Sequence, residues 1–120
     1  RYELFKARID ETGNWQDIEK LPFNNRKYSY SYPTVNKDNS RLYYVSNAAP
    51  SRGGDDIFYV EIKENGTYGD PVNLGDKINT SANETTPFIA DNNFLYFSSN
   101  LLSKFRTQYS KCHSIPRFFK

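Results

Sequence analysis

A chain of 120 residues can form at most one ordinary domain with a modest core. Ten Tyr and nine Phe, with no Met and little Ala or Leu, favour strands over helices, and a mean hydropathy of −0.83 leaves no window near the roughly 20 apolar residues of a membrane helix. The formal net charge of +2 hides a division: residues 101–120 carry five basic and no acidic residues, leaving 11 basic against 14 acidic residues in 1–100.

The segment "YELFKARIDETGNWQDIEKL" reads as two strands around a Gly turn, so the chain opens on Arg1 inside a structural unit, with no signal-peptide pattern. "YPTVN" and "RLYYVSN" follow as two strands joined by the polar turn "KDNS", with expected cores at residues 32–36 and 42–46. "AAPSRGGDD" is a loop rich in Pro and Gly, after which "DIFYVEI" is a strand at about 57–62. "KENGT" contains the hairpin dipeptide Asn-Gly, and "YGDPVNLG" a short strand that Pro71 confines to a sheet edge. "TPFIA", "DNN" and "FLYFSSN" restate the earlier hairpin, with a strand expected at 95–98.

A shift of 53 residues lays the sequence on itself. Phe5, Ile9, Glu11, Gly13, Asp17 and Leu21 meet Phe58, Ile62, Glu64, Gly66, Asp70 and Leu74, and Asp38, Asn39, Leu42, Tyr43, Ser46 and Asn47 meet Asp91, Asn92, Leu95, Tyr96, Ser99 and Asn100. A slip of one residue aligns Pro33 with Pro87 and Val35 with Ile89. A period near 50 with several short strands indicates an array of sheets. Residues 1–100 hold half a unit, a full unit and another half, whereas 101–120 form a basic tail outside the repeat. A third strand of the Gly-Gly-Asp-Ile-Phe type is due after Asn100, but "LLSKFRTQYSKCHSIPRFFK" stands there. That break reads as a fragment or frame-shifted product, or as a short protein with a tail of its own, and no strand is assigned to the tail, which is expected to pack loosely.

The motifs Pro-x-(Ile/Val), Asp-Asn turn, Leu-Tyr-(Phe/Tyr)-x-Ser, Gly-Gly-x-Asp-Ile-(Phe/Tyr) and Pro-Val-Asn-Leu-Gly, running from about Tyr2 to Asn100, resemble the WD-like β-propeller repeat of the TolB type found in OmpA-family envelope proteins of Bacteroidetes. The resemblance implies an all-β fold of antiparallel four-stranded blades, here an incomplete, open propeller. It implies a non-catalytic binding or scaffold module in the periplasm or at the outer-membrane periphery, and it brings no catalytic residue or cofactor.

The candidate binding loops hold Arg52, Gly53, Gly54, Asp55 and Asp56 in one segment and Asn79, Asn83 and Glu84 in the other. Asp55 and Asp56 follow two glycines at a strand start, where a carboxylate usually holds a turn. Cys112 and His113 are adjacent, but a metal site needs several converging ligands, and no second Cys or His exists. Ser98 and Ser99 have no His within the repeat region, so nucleophilic catalysis has no base there. "YSYSY" sets Tyr28, Tyr30 and Tyr32 at strand period, three rings on one face that serve sheet packing or stacking on a sugar or peptide. The expected partner is another protein or a cell-wall component, with self-association through open blade faces. A second function class assigns Lys104, Arg106, Lys111, Arg117 and Lys120 to phosphates of nucleic acid or an anionic membrane, nucleic acid being the weaker partner. A third, the propeller of a serine peptidase, requires a hydrolase domain that these residues do not contain.

Overall fold

The computed structural model describes residues 1–51, 53–101 and the backbone of 112–114. The strands are β1 (Phe5–Ile9), β2 (Trp15–Lys20), β3 (Tyr30–Val35), β4 (Arg41–Ser46), β5 (Asp56–Glu61), β6 (Val72–Asn73), β7 (Glu84–Ile89), β8 (Phe94–Ser99) and β9 (Cys112–Ser114). They form three antiparallel sheets, in order β1-β2, β3-β4-β5-β6 and β7-β8-β9, with no helix and no closed barrel among the described residues. The four strands expected from 32–36, 42–46, 57–62 and 95–98 are present, each with its ends moved by one or two residues. Pro71 stands just before β6 and leaves only two residues to pair, Val72 with Tyr59 and Asn73 with Phe58.

Alternation along the middle sheet decides the packing. Tyr43, Val45, Ile57 and Tyr59 point to one face, where they join Leu74, Ile78, Ile89, Leu95 and Phe97 in a buried cluster. Leu42, Tyr44, Phe58 and Val60 point to the other face and meet Leu4, Leu21 and Tyr30, with Phe23 and Tyr28 packed against them. The sheet is therefore covered on both sides, and every residue of β4 is buried. Phe23 stacks on Tyr44 at 5.1 Å, and Tyr44 on Phe58 at 5.8 Å. The third sheet lies against β3, β4 and β5 through β7. The first hairpin touches the body through its base at Leu4 and Leu21, while every residue of β1 and β2 is exposed.

The 53-residue repeat is a repeat of hydrogen-bonding register. Phe5↔Lys20 and Ile9↔Trp15 in the first hairpin correspond to Phe58↔Asn73 and to the bridge Ile62↔Tyr68. Tyr30↔Ser46 and Val35↔Leu42 correspond to Glu84↔Ser99 and Ile89↔Leu95, with a bulge at the same place in both hairpins. That bulge holds Tyr32 and Thr86 at φ of 52° and 48°. It corrects one expectation, because the positive φ breaks the alternation. Tyr28 and Tyr30 join the core, whereas Tyr32 is 52% exposed.

The slip also moves. Asn39 and Asn93 share the left-handed turn position (φ 59° and 69°), and Asn39 N–H donates to Asn36 as Asn93 N–H donates to Ala90. Asn39 therefore matches Asn93 rather than Asn92, and the missing residue falls after the turn, opposite Ser40.

Beyond Asn100 the structure adds a strand that the sequence reading lacks. β9 pairs with β8 as Phe94↔Ser114, Leu95↔His113 and Tyr96↔Cys112. Each pair is displaced by 53 from Arg41↔Glu61, Leu42↔Val60 and Tyr43↔Tyr59, so three tail residues occupy the third-strand position without resembling its sequence. An edge strand offers backbone N–H and C=O groups that any segment within reach can pair with. The expected loose packing of the rest of the tail falls outside the described residues.

Candidate functional site

The two loops proposed from sequence meet. Gly53 and Gly54, on the β4–β5 connection, lie against Ser81 and Asn83 on the β6–β7 connection. A Cβ on Gly53 would run into the Ser81 backbone, and one on Gly54 into the Asn83 side chain. The Asp55 N–H donates to Asn83 Oδ1 (2.7 Å), and the Glu84 N–H to the Asp55 carbonyl (2.8 Å). Asn83 N–H in turn donates to Asn100 Oδ1 (2.8 Å), tying the crossing to the end of β8.

Asn79 is 1% exposed, and its side chain closes the crossing. Oδ1 accepts from Ile57 N–H (2.8 Å), while Nδ2 donates to the Ile57 carbonyl and to Asn73 Oδ1 (both 2.9 Å). Asn73 Nδ2 donates onward to Asp56 Oδ2 (2.9 Å) and the Pro50 carbonyl (3.0 Å). Glu84 is fully buried, with Oε1 accepting from Thr80 N–H (2.9 Å) and Oε2 from the hydroxyls of Thr80 and Ser99 (2.6 Å each). A buried carboxylate without donors would carry a large desolvation cost, and this one meets three.

The same lock appears one unit earlier. Asn24 Oδ1 accepts from Leu4 N–H (3.0 Å), and Nδ2 donates to the carbonyls of Leu4 and Leu21. Tyr2 N–H donates to Ser29 Oγ as Asp55 N–H does to Asn83, and Ser29 N–H donates to Asn47 Oδ1 as Asn83 N–H does to Asn100. Sequence comparison misses the Asn24–Asn79 match because the second crossing holds two extra residues, so a shift of 53 pairs Asn24 with Lys77. Of the residues chosen from sequence, Gly53, Gly54, Asp55, Asp56, Asn79, Asn83 and Glu84 thus converge on one sheet-to-sheet joint, their polar groups engaged in holding backbone. Arg52 and the tail residues Lys104, Arg106, Lys111, Arg117 and Lys120 lie outside the described residues.

Two open surfaces remain. A groove of about 380 Å³ runs between the first hairpin and the middle sheet, lined in part by Phe5, Lys6, Pro33, Val35, Leu42 and Tyr68. Lys6 Nζ sits 3.2 Å from Glu19 and 5.5 Å from the centre of the Tyr68 ring; the Glu19 carboxylate and the Tyr68 hydroxyl raise its pKa above the usual lysine value. The second surface is the outer face of the third sheet, where Phe88 is 59%, Phe94 37% and Tyr96 45% exposed. Among the described residues no group of three or more His, Cys, Asp or Glu is placed to hold a metal, and no helix is long and apolar enough to cross a membrane. Comparison with protein-family models, with curated proteins and with solved structures finds no match.

Proposed function

We propose that the chain is a non-catalytic binding or scaffold module built from β-propeller blades, a segment of a bacterial cell-envelope protein whose partner is another protein or a cell-wall component. One observation carries the reading. The first hairpin repeats the register of β5 with β6, the β7–β8 hairpin repeats that of β3 with β4, and the middle sheet shows the four strands joined in the order that makes a blade. The polar residues of the repeat hold the joints between sheets, which is the work of a frame, and the open apolar surfaces suit contact rather than chemistry.

The test is an NMR titration of the chain with soluble peptidoglycan fragments and, separately, with extended peptides, each mixture also followed for turnover. Shifts confined to the groove, the outer face or the loop surfaces, with the added compound unchanged, support the module. Conversion of either compound, or no shift with both, overturns it.

A further inference from the structure

We propose that copies of this chain join head to tail, β1 of one copy pairing with the edge of β8 in another to complete a four-stranded sheet in the order β7-β8-β1-β2. The inference rests on the blade reading above and names one partner for its open surfaces, a second copy of the chain.

The ladder is already written in the middle sheet. Moving the observed β4–β5 pairs by 53 on each strand sets Leu95 opposite Ala7, Tyr96 opposite Lys6 and Phe97 opposite Phe5 of the second copy. The backbone directions agree. Ile57 turns its N–H and C=O to Asn79 and Leu74 on the β6 side, so Phe58 and Val60 turn theirs towards β4. Leu4 likewise bonds Asn24 and Leu21, which leaves Phe5 and Ala7, the counterparts of Phe58 and Val60, facing outward from β1. Among the described residues β1 pairs with β2 alone.

The faces agree as well. Within one chain, Tyr43 and Val45 pack against Ile89 and Leu95 of the next sheet. The counterparts of Ile89 and Leu95 are Val35 and Leu42, which line the groove, and the counterpart of Tyr43 is the exposed Tyr96. Joining the strands carries Tyr96 and Phe88 of one copy into the groove of the other. The groove and the apolar face are thus the two halves of one interface.

The contact is heterologous, so it closes into a ring or continues as a filament. With two blades' worth of strands per chain, closure takes about two to four copies, because propellers close with roughly 4 to 8 blades. β9 occupies the same register on β8 over Phe94–Tyr96, so the chain's own tail strand competes with the incoming β1.

The test uses the full chain with Cys112→Ser, so that Tyr96→Cys cannot pair with its neighbour on β9. Lys6→Cys and Tyr96→Cys, both at exposed positions, are made in separate chains, mixed and oxidised. The expected result is a disulfide-linked heterodimer in the mixture, none in either chain alone, and a much lower yield when Ala7→Cys, on the opposite face of β1, replaces Lys6→Cys. His113→Pro removes a backbone donor from β9 and raises the yield. Hα–Hα contacts between Tyr43 and Tyr59 read the intact blade by NMR. Their presence without the Lys6→Cys/Tyr96→Cys link overturns the assembly and leaves the blade standing; their absence overturns the blade itself. An unchanged yield with His113→Pro overturns the competition by β9.

Discussion

Replacing Asn79 by Ala removes three hydrogen bonds from a site that water hardly reaches. Two of the partners keep another bond: the Ile57 carbonyl still accepts from Leu74 N–H (3.1 Å), and Asn73 Oδ1 from Gly75 N–H (2.8 Å). Ile57 N–H keeps none from this side chain, and Ile57 itself is fully buried. An orphaned buried donor costs about 1–3 kcal/mol, and the two weakened acceptors add about 0.5–1 kcal/mol together, so Asn79→Ala is expected to cost about 2–4 kcal/mol. Asn79→Asp has nearly the same shape and keeps the acceptor for Ile57 N–H, but it sets an anionic oxygen against the Ile57 carbonyl and Asn73 Oδ1. It is expected to cost at least as much near neutral pH and to recover part of the loss in acid, where the carboxyl can donate. Urea unfolding followed by circular dichroism reads both variants, and with a slope near 2 kcal/mol per molar the midpoint falls by about 1–2 M. A loss below about 0.5 kcal/mol for Asn79→Ala, the size of an ordinary surface change, would show that water replaces the amide and that the crossing is not a sealed joint.

Gly53→Ala is expected to destabilise more than Gly54→Ala in the same assay, since its methyl meets Ser81 backbone while that of Gly54 meets a side chain able to turn away. Leu95→Ala empties a fully buried position between two sheets and is expected to cost about 2–5 kcal/mol; a smaller loss would mean that the third sheet is not packed on the second. Burial raises the pKa of Tyr44 above its ordinary value of 10, and those of Tyr30 and Tyr59 in the same direction. The unfolded chain therefore loses these protons first, so stability holds below pH 10 and falls as pH rises above it. Tyr44→Phe should flatten that fall, measured as urea midpoints between pH 9 and 11. Asp10 is held below its ordinary 3.8, first by the Asn14 N–H and then by Thr12, so its support for the first turn is present above that value and disappears as pH falls through it. Amide exchange in the first hairpin should accelerate there, and should not do so in Asp10→Asn.

The strands were legible because alternation and turn chemistry are local: Leu42 to Val45 and Ile57 to Val60 announce their faces by period, and Gly13 and Gly66, at φ of 89° and 84°, sit where a hairpin requires them. The bulge at Tyr32 was not, since nothing in "YSYSY" marks where alternation breaks; its signal is Pro33, recurring as Pro87 beside Thr86. The joint stayed hidden for another reason. Asn79 and Glu84 read as loop polar residues, and whether such groups face solvent or backbone depends on segments 22 residues away in the chain, as with Ile57 and Asn79. β9 was invisible because its place is set by the vacant edge of β8 and not by its own side chains.

The strands alternate in direction, so all sheet-to-sheet crossings lie at one end of the stack and the hairpin turns at the other. At the crossing end Gly53 touches Ser81, and each segment is bonded to the next. An insertion there would have to shift a whole sheet. At the other end the turns at 10–14 and 63–67 are held by bonds inside the turn, Asp10 with Asn14 and Lys63 with Thr67, and a Cβ at Gly13 or Gly66 would meet open space. Extra residues can grow out of these turns without disturbing the stack. A protein drifting toward new partners would therefore lengthen at the turn end and keep its length at the crossings, so the two ends of one molecule would record different histories.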